Sequence, residues 1–269
     1  MDFFAHLVKV IEIVKLINNW SSKMSKKLNS KIWEENPWTE QARNIIEGLD
    51  KFPAHSKIII ILRHSQRFEP KLVNESDLKG ANMELTPLGK EIAKIFGENL
   101  PIDRPIRLFH SPRSRCKVTA EKICQGFKEV NGRGDYIGEY NALYGIGINN
   151  QSYLDEFNTY KNYQVILRYL AGVYSPELWP PAQSFYERSG ELIWNQTDNI
   201  AEGGIKIFIT HDFHTMIFRF GWFGIPPDER WIDYLGGFAF SIMENHILLL
   251  DHGKLINLGI PYWWKNIKK

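Results

Sequence analysis

A histidine between two arginines follows the most apolar segment of the chain. Residues 58–62 are four isoleucines and a leucine, a β-branched run that is typical of a buried strand. Directly after this run come Arg63, His64, Ser65 and, two positions later, Arg67. An imidazole is a competent nucleophile, and guanidinium groups bind phosphate oxygens in paired, planar contacts. The segment therefore predicts a phosphate-binding site in which His64 is the nucleophile.

Two further apolar segments, residues 106–109 and 205–210, are also predicted to be strands, and both end in polar groups. The groups that follow them are Ser111, Arg113, Arg115, His211 and Asp212. Ligands of open α/β sheets bind at the carboxyl ends of the strands. We therefore expect Arg115, His211 and Asp212 to meet His64 in one site, whereas Arg113 is interpreted as only a surface partner of a carboxylate.

Four short motifs follow one another along the chain: residues 63–65, 85–89, 111–115 with 119–120, and 211–212. In order and spacing they resemble four motifs of the histidine phosphatase superfamily. These motifs are Arg-His-Gly, then Leu-Thr-x-x-Gly, then Ser-Pro-x-x-Arg followed by Thr-Ala, and finally His-Asp. This superfamily comprises phosphoglycerate mutase-like and acid phosphatase-like enzymes. The resemblance extends from about residue 57 to about residue 250. It implies phosphoryl chemistry with no metal ion and no other cofactor.

The resemblance and the chemistry of the side chains together imply a role for each group. His64 would attack phosphorus as the neutral imidazole and form a phosphohistidine, which water then hydrolyses. Asp212 would protonate the leaving-group oxygen and then help to deprotonate the water. The groups expected to bind the phosphoryl oxygens, and to stabilise their charge in the transition state, are Arg63, Arg67, Arg115 and His211.

The choice of Asp212 as the acid rests on the absence of a better carboxylate. The mutase-like branch is expected to place a glutamate after the second motif, but no glutamate follows Leu143 in the comparable stretch. Glu139 precedes the apolar residues of that stretch instead of following them. It is therefore the second candidate for the acid.

Ser65 and His214 are secondary site candidates. Ser65 stands where the family has a glycine that lets the backbone approach the phosphate closely. Its hydroxyl could donate to phosphate, or its side chain could narrow the site. His214, three residues after His211, suggests a metal site, but the neighbouring carboxylate or cysteine ligands are not evident. We expect His214 to lie in the first turn of a helix near the pocket, and no metal to bind there.

Composition predicts a soluble enzyme. The 269 residues are 43% hydrophobic and suffice for a sizeable core, while the net charge of +2 gives no argument for nucleic acid binding. Cys116 and Cys124 are eight residues apart on one predicted helix, a separation of about 12 Å that is too long for a disulfide. With free thiols, and neither a signal peptide nor a transmembrane helix evident, we expect a cytoplasmic location.

The chain is predicted to have two parts. Residues 1–50 form a helical extension, because apolar side chains over residues 3–17 follow a helical period. Packing of this helix on the catalytic domain or on a partner subunit is favoured over contact with a membrane surface. Residues 51–269 form the histidine phosphatase-like domain, a three-layer α/β/α sandwich with a mostly parallel central sheet. Its aromatic-rich segment at about residues 139–189 is predicted to be a cap over the pocket, although most of its rings are expected to serve ordinary packing.

The function that follows is hydrolysis of a phosphomonoester through His64, with a small phosphorylated molecule or a phosphoprotein as substrate. A mutase-like phosphotransferase would use the same intermediate, but the missing glutamate argues against it. A noncatalytic relative that binds a phosphorylated ligand is the remaining alternative, suggested by Ser65 and by the N-terminal helix. The sequence does not indicate an oligomeric state.

Overall fold

The computed structural model describes residues 31–71 and 83–267. The chain divides into two compact units, Met1–Pro37 and Trp38–Lys269. In the first unit, residues 31–35 are helical, whereas the helix predicted over residues 3–17 lies outside the described residues. No helix in the described ranges is long and apolar enough to cross a membrane.

The second unit is built on one sheet. Its strands are β1 (Ile58–Arg63), β2 (Ile106–His110), β3 (Gly134–Glu139), β4 (Ile205–Thr210), β5 (Gly237–Ile242), β6 (His246–Asp251) and β7 (Lys254–Gly259), in the spatial order β3-β2-β4-β1-β5-β6-β7. Strands β1 to β4 are mutually parallel, and β5 is antiparallel to β1. Strand β6 is antiparallel to β5 and thus runs with β1, so the predicted mostly parallel sheet is confirmed.

Helices cover the sheet, as the predicted α/β sandwich requires. They are α1 (Glu40–Gly48), α2 (Pro87–Glu98), α3 (Ser114–Glu129), α4 (Asn150–Thr159), α5 (Asn162–Leu170), α6 (Ala182–Trp194), α7 (Asp212–Phe223) and α8 (Tyr262–Ile267). Helix α1 contacts β5 and β6, so it belongs to the unit that contains the sheet. The functional division into an extension and a catalytic domain stays a prediction.

The isoleucine run of β1 serves both faces of the sheet because successive side chains of a strand point in opposite directions. Ile59 and Ile61 belong to a core cluster with residues of α6 and α7, among them Trp194 and Trp222. Ile58 and Ile60 are equally buried and point to the other face. Burial on both faces explains why β1 is continuously apolar instead of alternating.

The three strands predicted above from apolar runs, β1, β2 and β4, are confirmed, but the two edge strands β3 and β7 were missed. Strand β3 contains two glycines and two acidic residues, and its burial alternates along an edge position. Strand β7 lies at the opposite edge, beyond residue 250, where the resemblance was expected to end. An edge strand that buries only one face does not need a continuous apolar run, so its sequence is hard to distinguish from that of a loop.

The aromatic segment over residues 139–189 contains α4, α5 and the first part of α6. Its rings contribute mainly to packing, as expected: Tyr169, Trp179 and Phe185 belong to the core cluster. Tyr153 packs against this cluster from the side of the pocket. Cys116 and Cys124 are both free and buried, which confirms the predicted absence of a disulfide.

Candidate active site

The carboxyl ends of β1, β2 and β4 lie side by side because these strands are parallel neighbours. A cavity of about 550 Å³ is lined there by the side chains that follow the three strands. From these strand ends, its lining residues are Arg63, His64, Arg67, Arg113, Arg115, His211, Asp212, Phe213 and His214. The sheet thus brings together all the primary site candidates, while their roles stay predictions.

His64 is only 2% exposed and is held in one orientation. Its Nδ1 lies 2.8 Å from the carbonyl oxygen of Ser65. A carbonyl can only accept, so Nδ1 carries the proton and Nε2 keeps its lone pair. Burial, Arg115 and Arg63 lower the pKa of His64 well below its usual value, so the ring is neutral. A neutral imidazole with an unprotonated Nε2 is the form that can act as a nucleophile.

Arg115 bridges two histidines. Its Nε donates to Nε2 of His64 at 3.0 Å, and its Nη2 lies 3.2 Å from Nδ1 of His211. The second contact makes Nδ1 of His211 the acceptor, and Nε2 of this ring lies 3.2 Å from Oγ of Ser111. Burial, followed by the charge of Arg115, lowers the pKa of His211 well below its usual value. One guanidinium and two neutral imidazoles therefore form the centre of the cavity.

Asp212, the first residue of α7, is held as a carboxylate. Its Oδ2 accepts from Nη2 of Arg63 at 3.0 Å and from Nε1 of Trp231 at 3.0 Å, while Oδ1 accepts from the amide of Phe213 at 2.8 Å. Burial alone would raise the pKa of Asp212, but Arg63 and these donors lower it to about 2.

The loop between α7 and β5 fixes Arg63, and sequence reasoning missed it. Nη1 of Arg63 donates to the carbonyl of Ile232 at 2.7 Å, and the guanidinium lies 4.2 Å from the centre of the Tyr234 ring. Trp231 in the same loop donates to Asp212. No local motif marks this loop, because its contacts join residues that are far apart in sequence.

The two remaining arginines lie at the more open part of the cavity. Nη2 of Arg67 forms a 3.0 Å ion pair with Glu69, whose side chain is 59% exposed. Arg113, which the sequence suggested as only a surface partner of a carboxylate, lies instead over the Tyr144 ring at 4.7 Å and donates to its hydroxyl. Arg113 and Tyr144 both line the cavity, so they are site residues that sequence reasoning did not select.

Ser65 faces away from the phosphate-binding groups. Its Oγ donates to the carbonyl of Gly89 at 2.6 Å, and its amide donates to Oγ1 of Thr119 at 3.1 Å. Its φ is not positive, so a side chain at this position causes no backbone strain. The hydroxyl therefore anchors the nucleophile's loop to α2, while Thr119 anchors it to α3. The two motifs at residues 85–89 and 119–120 thus have a common structural purpose.

Glu139, the second candidate for the acid, ends β3, where its side chain is exposed. It pairs in register with His110 and is not among the residues that line the cavity. The structure therefore places Asp212, and not Glu139, beside His64.

His214 lies in the first turn of α7 and lines the cavity, at the position expected from the sequence. It is 8% exposed, and its ring stacks on Tyr144 with the centroids 5.3 Å apart. Burial lowers the pKa of His214 to about 3, so the ring is neutral. Its Nδ1 is buried without a hydrogen-bond partner among the described residues.

No protein-family model matches the sequence, and no curated protein does. Solved structures do match the fold. A mycobacterial glucosyl-3-phosphoglycerate phosphatase is 15% identical, with a TM-score of 0.51, over 76% of this chain and 97% of the other. YhfR of Bacillus stearothermophilus is 16% identical, with a TM-score of 0.50, over 76% and 96%. A mycobacterial hydrolase is 12% identical, with a TM-score of 0.51, over 79% and 95%.

These similarities concern the architecture, since the identities are low. They cover most of this chain and nearly all of each matched chain. This chain therefore has the same fold as these solved structures, an α/β fold with a mostly parallel sheet, as the sequence predicts.

Proposed function

We propose that the protein hydrolyses a phosphomonoester through a phosphohistidine at His64. The observation that supports this most directly is the state of the His64 ring. The carbonyl of Ser65 fixes the proton on Nδ1, and Nε2 points at Nε of Arg115 in a cavity rich in arginine. A nucleophile held beside a cation that can neutralise phosphate oxygens is what phosphoryl transfer requires.

In the first step, phosphate oxygens take over the hydrogen bonds that Arg115 makes with the two histidines. Nε2 of His64 then bonds to phosphorus as the bond from phosphorus to the leaving-group oxygen breaks. Arg63, Arg67 and Arg115 stabilise the charge that spreads over the phosphoryl oxygens, and His211 contributes once its ring proton moves from Nε2 to Nδ1, the nitrogen that faces Arg115. In the second step, water attacks phosphorus, the bond to Nε2 breaks and inorganic phosphate leaves.

Asp212 supplies the proton to the leaving group and later takes one from the water. With a pKa of about 2 it starts as a carboxylate, so it must take up a proton, from water or from the monoanion of the phosphomonoester, when substrate binds. The ion pair with Arg63 makes this uptake depend on substrate. A phosphate that attracts Arg63 weakens the ion pair that keeps Asp212 ionised, so the pKa of Asp212 rises. The nearby phosphate charge then raises the pKa of Asp212 further.

The test is hydrolysis of an aryl phosphate from mildly acidic to neutral pH with EDTA present, comparing wild type with His64→Ala. We expect activity that survives chelation and is lost in the variant. Loss of activity with EDTA would contradict a mechanism without metal. Equal activity in His64→Ala would contradict the role of His64. Binding of phosphate without hydrolysis of any phosphomonoester would favour the noncatalytic alternative, and return of the phosphoryl group to substrate would favour the mutase-like one.

A further inference from the structure

The cavity has a second lining that differs chemically from the arginine-rich strand ends. It comes from residues 144–154, a segment without any charged residue, and from Phe213 and His214 in the first turn of α7. Ile146, Ile148 and Leu154 line the cavity from this segment, and the Tyr153 ring lies 5.7 Å from that of Phe213. Such a wall favours apolar groups and offers no charge to bind an ionic one.

Within residues 31–71 and 83–267, Asp212 is the only carboxylate that lines the cavity, and Arg63 and Trp231 both donate to it. A cationic group on a ligand would therefore have no free counter-ion here. The arginines are positioned by the strand ends and by Tyr144, so a second anionic group would compete with the phosphate for the same residues. These charges favour an uncharged body attached to a single phosphate.

The wall also contains the polar side chains Asn150 and His214, and we single out His214. It is 8% exposed and neutral, and it lines the cavity, while its Nδ1 has no partner among the described residues. A buried polar group that lacks a partner destabilises the protein. Its neighbours Tyr144 and Phe185 are aromatic and would pack equally well against a phenyl ring. A histidine at this position is therefore explained better by a ligand than by packing.

We propose that residues 144–154 and the start of α7 form a subsite for the leaving group of the substrate. The group that it takes is largely apolar and uncharged, and it makes one hydrogen bond to His214. The assignment of the bound group as a leaving group rests on the proposed phosphatase function. The binding preference itself does not depend on catalysis.

Phosphonates test the subsite without hydrolysis, because their carbon–phosphorus bond cannot be cleaved by this chemistry. The probes are methylphosphonate, which has only the head group, phenylphosphonate and its three hydroxyphenyl isomers. Calorimetric binding would be measured for wild type and for His214→Phe. In wild type we expect phenylphosphonate to bind about tenfold or more tightly than methylphosphonate. We expect at least one hydroxyphenyl isomer to gain about fivefold more.

In His214→Phe we expect the hydroxyl-dependent gain to disappear, methylphosphonate to bind as in wild type, and the melting temperature not to fall. His214→Gln, which keeps a donor and an acceptor, should restore part of the gain. Weaker methylphosphonate binding in His214→Phe would place His214 on the phosphate and overturn the proposal. A lowered melting temperature in His214→Phe would also overturn the proposal. The same holds if His214→Phe still binds a hydroxyphenyl isomer more tightly than phenylphosphonate, or if wild type binds all the probes equally.

The two proposals can fail separately. Hydrolysis that depends on His64, combined with equal binding of all the phosphonates, would overturn the subsite and leave the phosphatase function standing. The expected binding pattern in a protein that hydrolyses no phosphomonoester would overturn the phosphatase function. It would support the subsite as one for the body of a bound ligand.

Discussion

At the scale of single residues, the site is controlled by which groups are charged. His64, His211 and His214 are all buried, and burial lowers the pKa of each ring. Asp212 is ionised because Arg63 and Trp231 donate to the same carboxylate oxygen. The proposed nucleophile is thus in its neutral form, whereas the proposed acid would have to gain a proton when phosphate binds.

Asp212→Asn should lower kcat by about 10²–10⁴-fold for an alkyl phosphate, because an alkoxide leaves poorly without a proton. The loss should be much smaller for p-nitrophenyl phosphate, whose leaving group is stable as an anion. Steady-state kinetics with both substrates measure the difference. Equal losses with the two substrates would contradict the role of Asp212 as the acid.

Trp231→Phe removes one donor to the carboxylate, so the pKa of Asp212 should rise from about 2. The pKa of Asp212 is lower in the folded protein than the unfolded value of about 3.9. Its contribution to stability is therefore present above about pH 4 and is lost as the pH falls towards 2. Chemical denaturation should show the free-energy difference between wild type and variant shrinking over this range. A constant difference would mean that Trp231 does not act through Asp212.

Ser65→Ala and Ser65→Gly test the serine that stands where the motif it resembles has a glycine. The Ser65 hydroxyl donates to Gly89 and not into the cavity. Loss of this buried hydrogen bond should cost about 1 kcal/mol of stability, with little change in kcat. The free energy of unfolding and kcat would be measured for both variants. A large gain in kcat in Ser65→Gly alone would show that the serine side chain obstructs the site.

At the scale of elements, the start of α2 fixes the loop that carries His64. Oγ1 of Thr86 caps the helix by accepting from the amide of Gly89 at 2.9 Å. A Cβ on Gly89 would lie 2.1 Å from the carbonyl oxygen of Gln66. The Leu-Thr-x-x-Gly motif thus serves both the helix cap and the close approach of α2 to the nucleophile's loop.

Gly89→Ala should therefore reduce both stability and activity, although alanine normally stabilises a helix by about 1 kcal/mol relative to glycine. The backbone of Gln66 must move, and His64 lies two residues away. Melting temperature and kcat would be compared with those of Gly259→Ala, a control glycine around which a Cβ meets no atom within 4 Å. Equal behaviour of the two variants would refute the proposed close approach.

An element is predicted from sequence when its own residues carry the pattern, and it is missed when its contacts are made with residues far away in the sequence. Strands β1 and β4 are buried on both faces, so their apolar runs are recognised directly, and the groups at their ends follow. The edge strand β3 carries no such run. The loop holding Trp231 and Tyr234 contacts Asp212 and Arg63 across long sequence separations, which no local pattern reveals. The motifs therefore predict the arginine- and histidine-rich half of the site. The loop that holds Trp231 and Tyr234, and the wall formed by residues 144–154, are recognised only from the three-dimensional structure.

At the scale of the whole molecule, the fold concentrates charge. The chain carries a net charge of only +2, yet among the residues that the structure describes four arginines and a single carboxylate line the cavity. The parallel order β2-β4-β1 causes this concentration, because it places three strand ends at one edge. An anion bound there interacts with a local field that the net charge does not reveal.

Inorganic phosphate should therefore stabilise the folded protein, by about 2.7 kcal/mol at a concentration one hundred times its Kd. Arg115→Gln should lose most of this stabilisation, because Arg115 contacts both His64 and His211 at the centre of the cavity. Thermal unfolding with and without phosphate measures the effect. The same stabilisation in both proteins would place the anion elsewhere.

The most direct test of the account is to trap the phosphoenzyme. Protein mixed with a phosphomonoester labelled in its phosphoryl group would be quenched in alkali, which preserves phosphohistidine, and the labelled peptide would be identified by mass spectrometry. We expect label on His64 in wild type and none in His64→Ala. Turnover with no label under any quench time, or label on another residue, would contradict it.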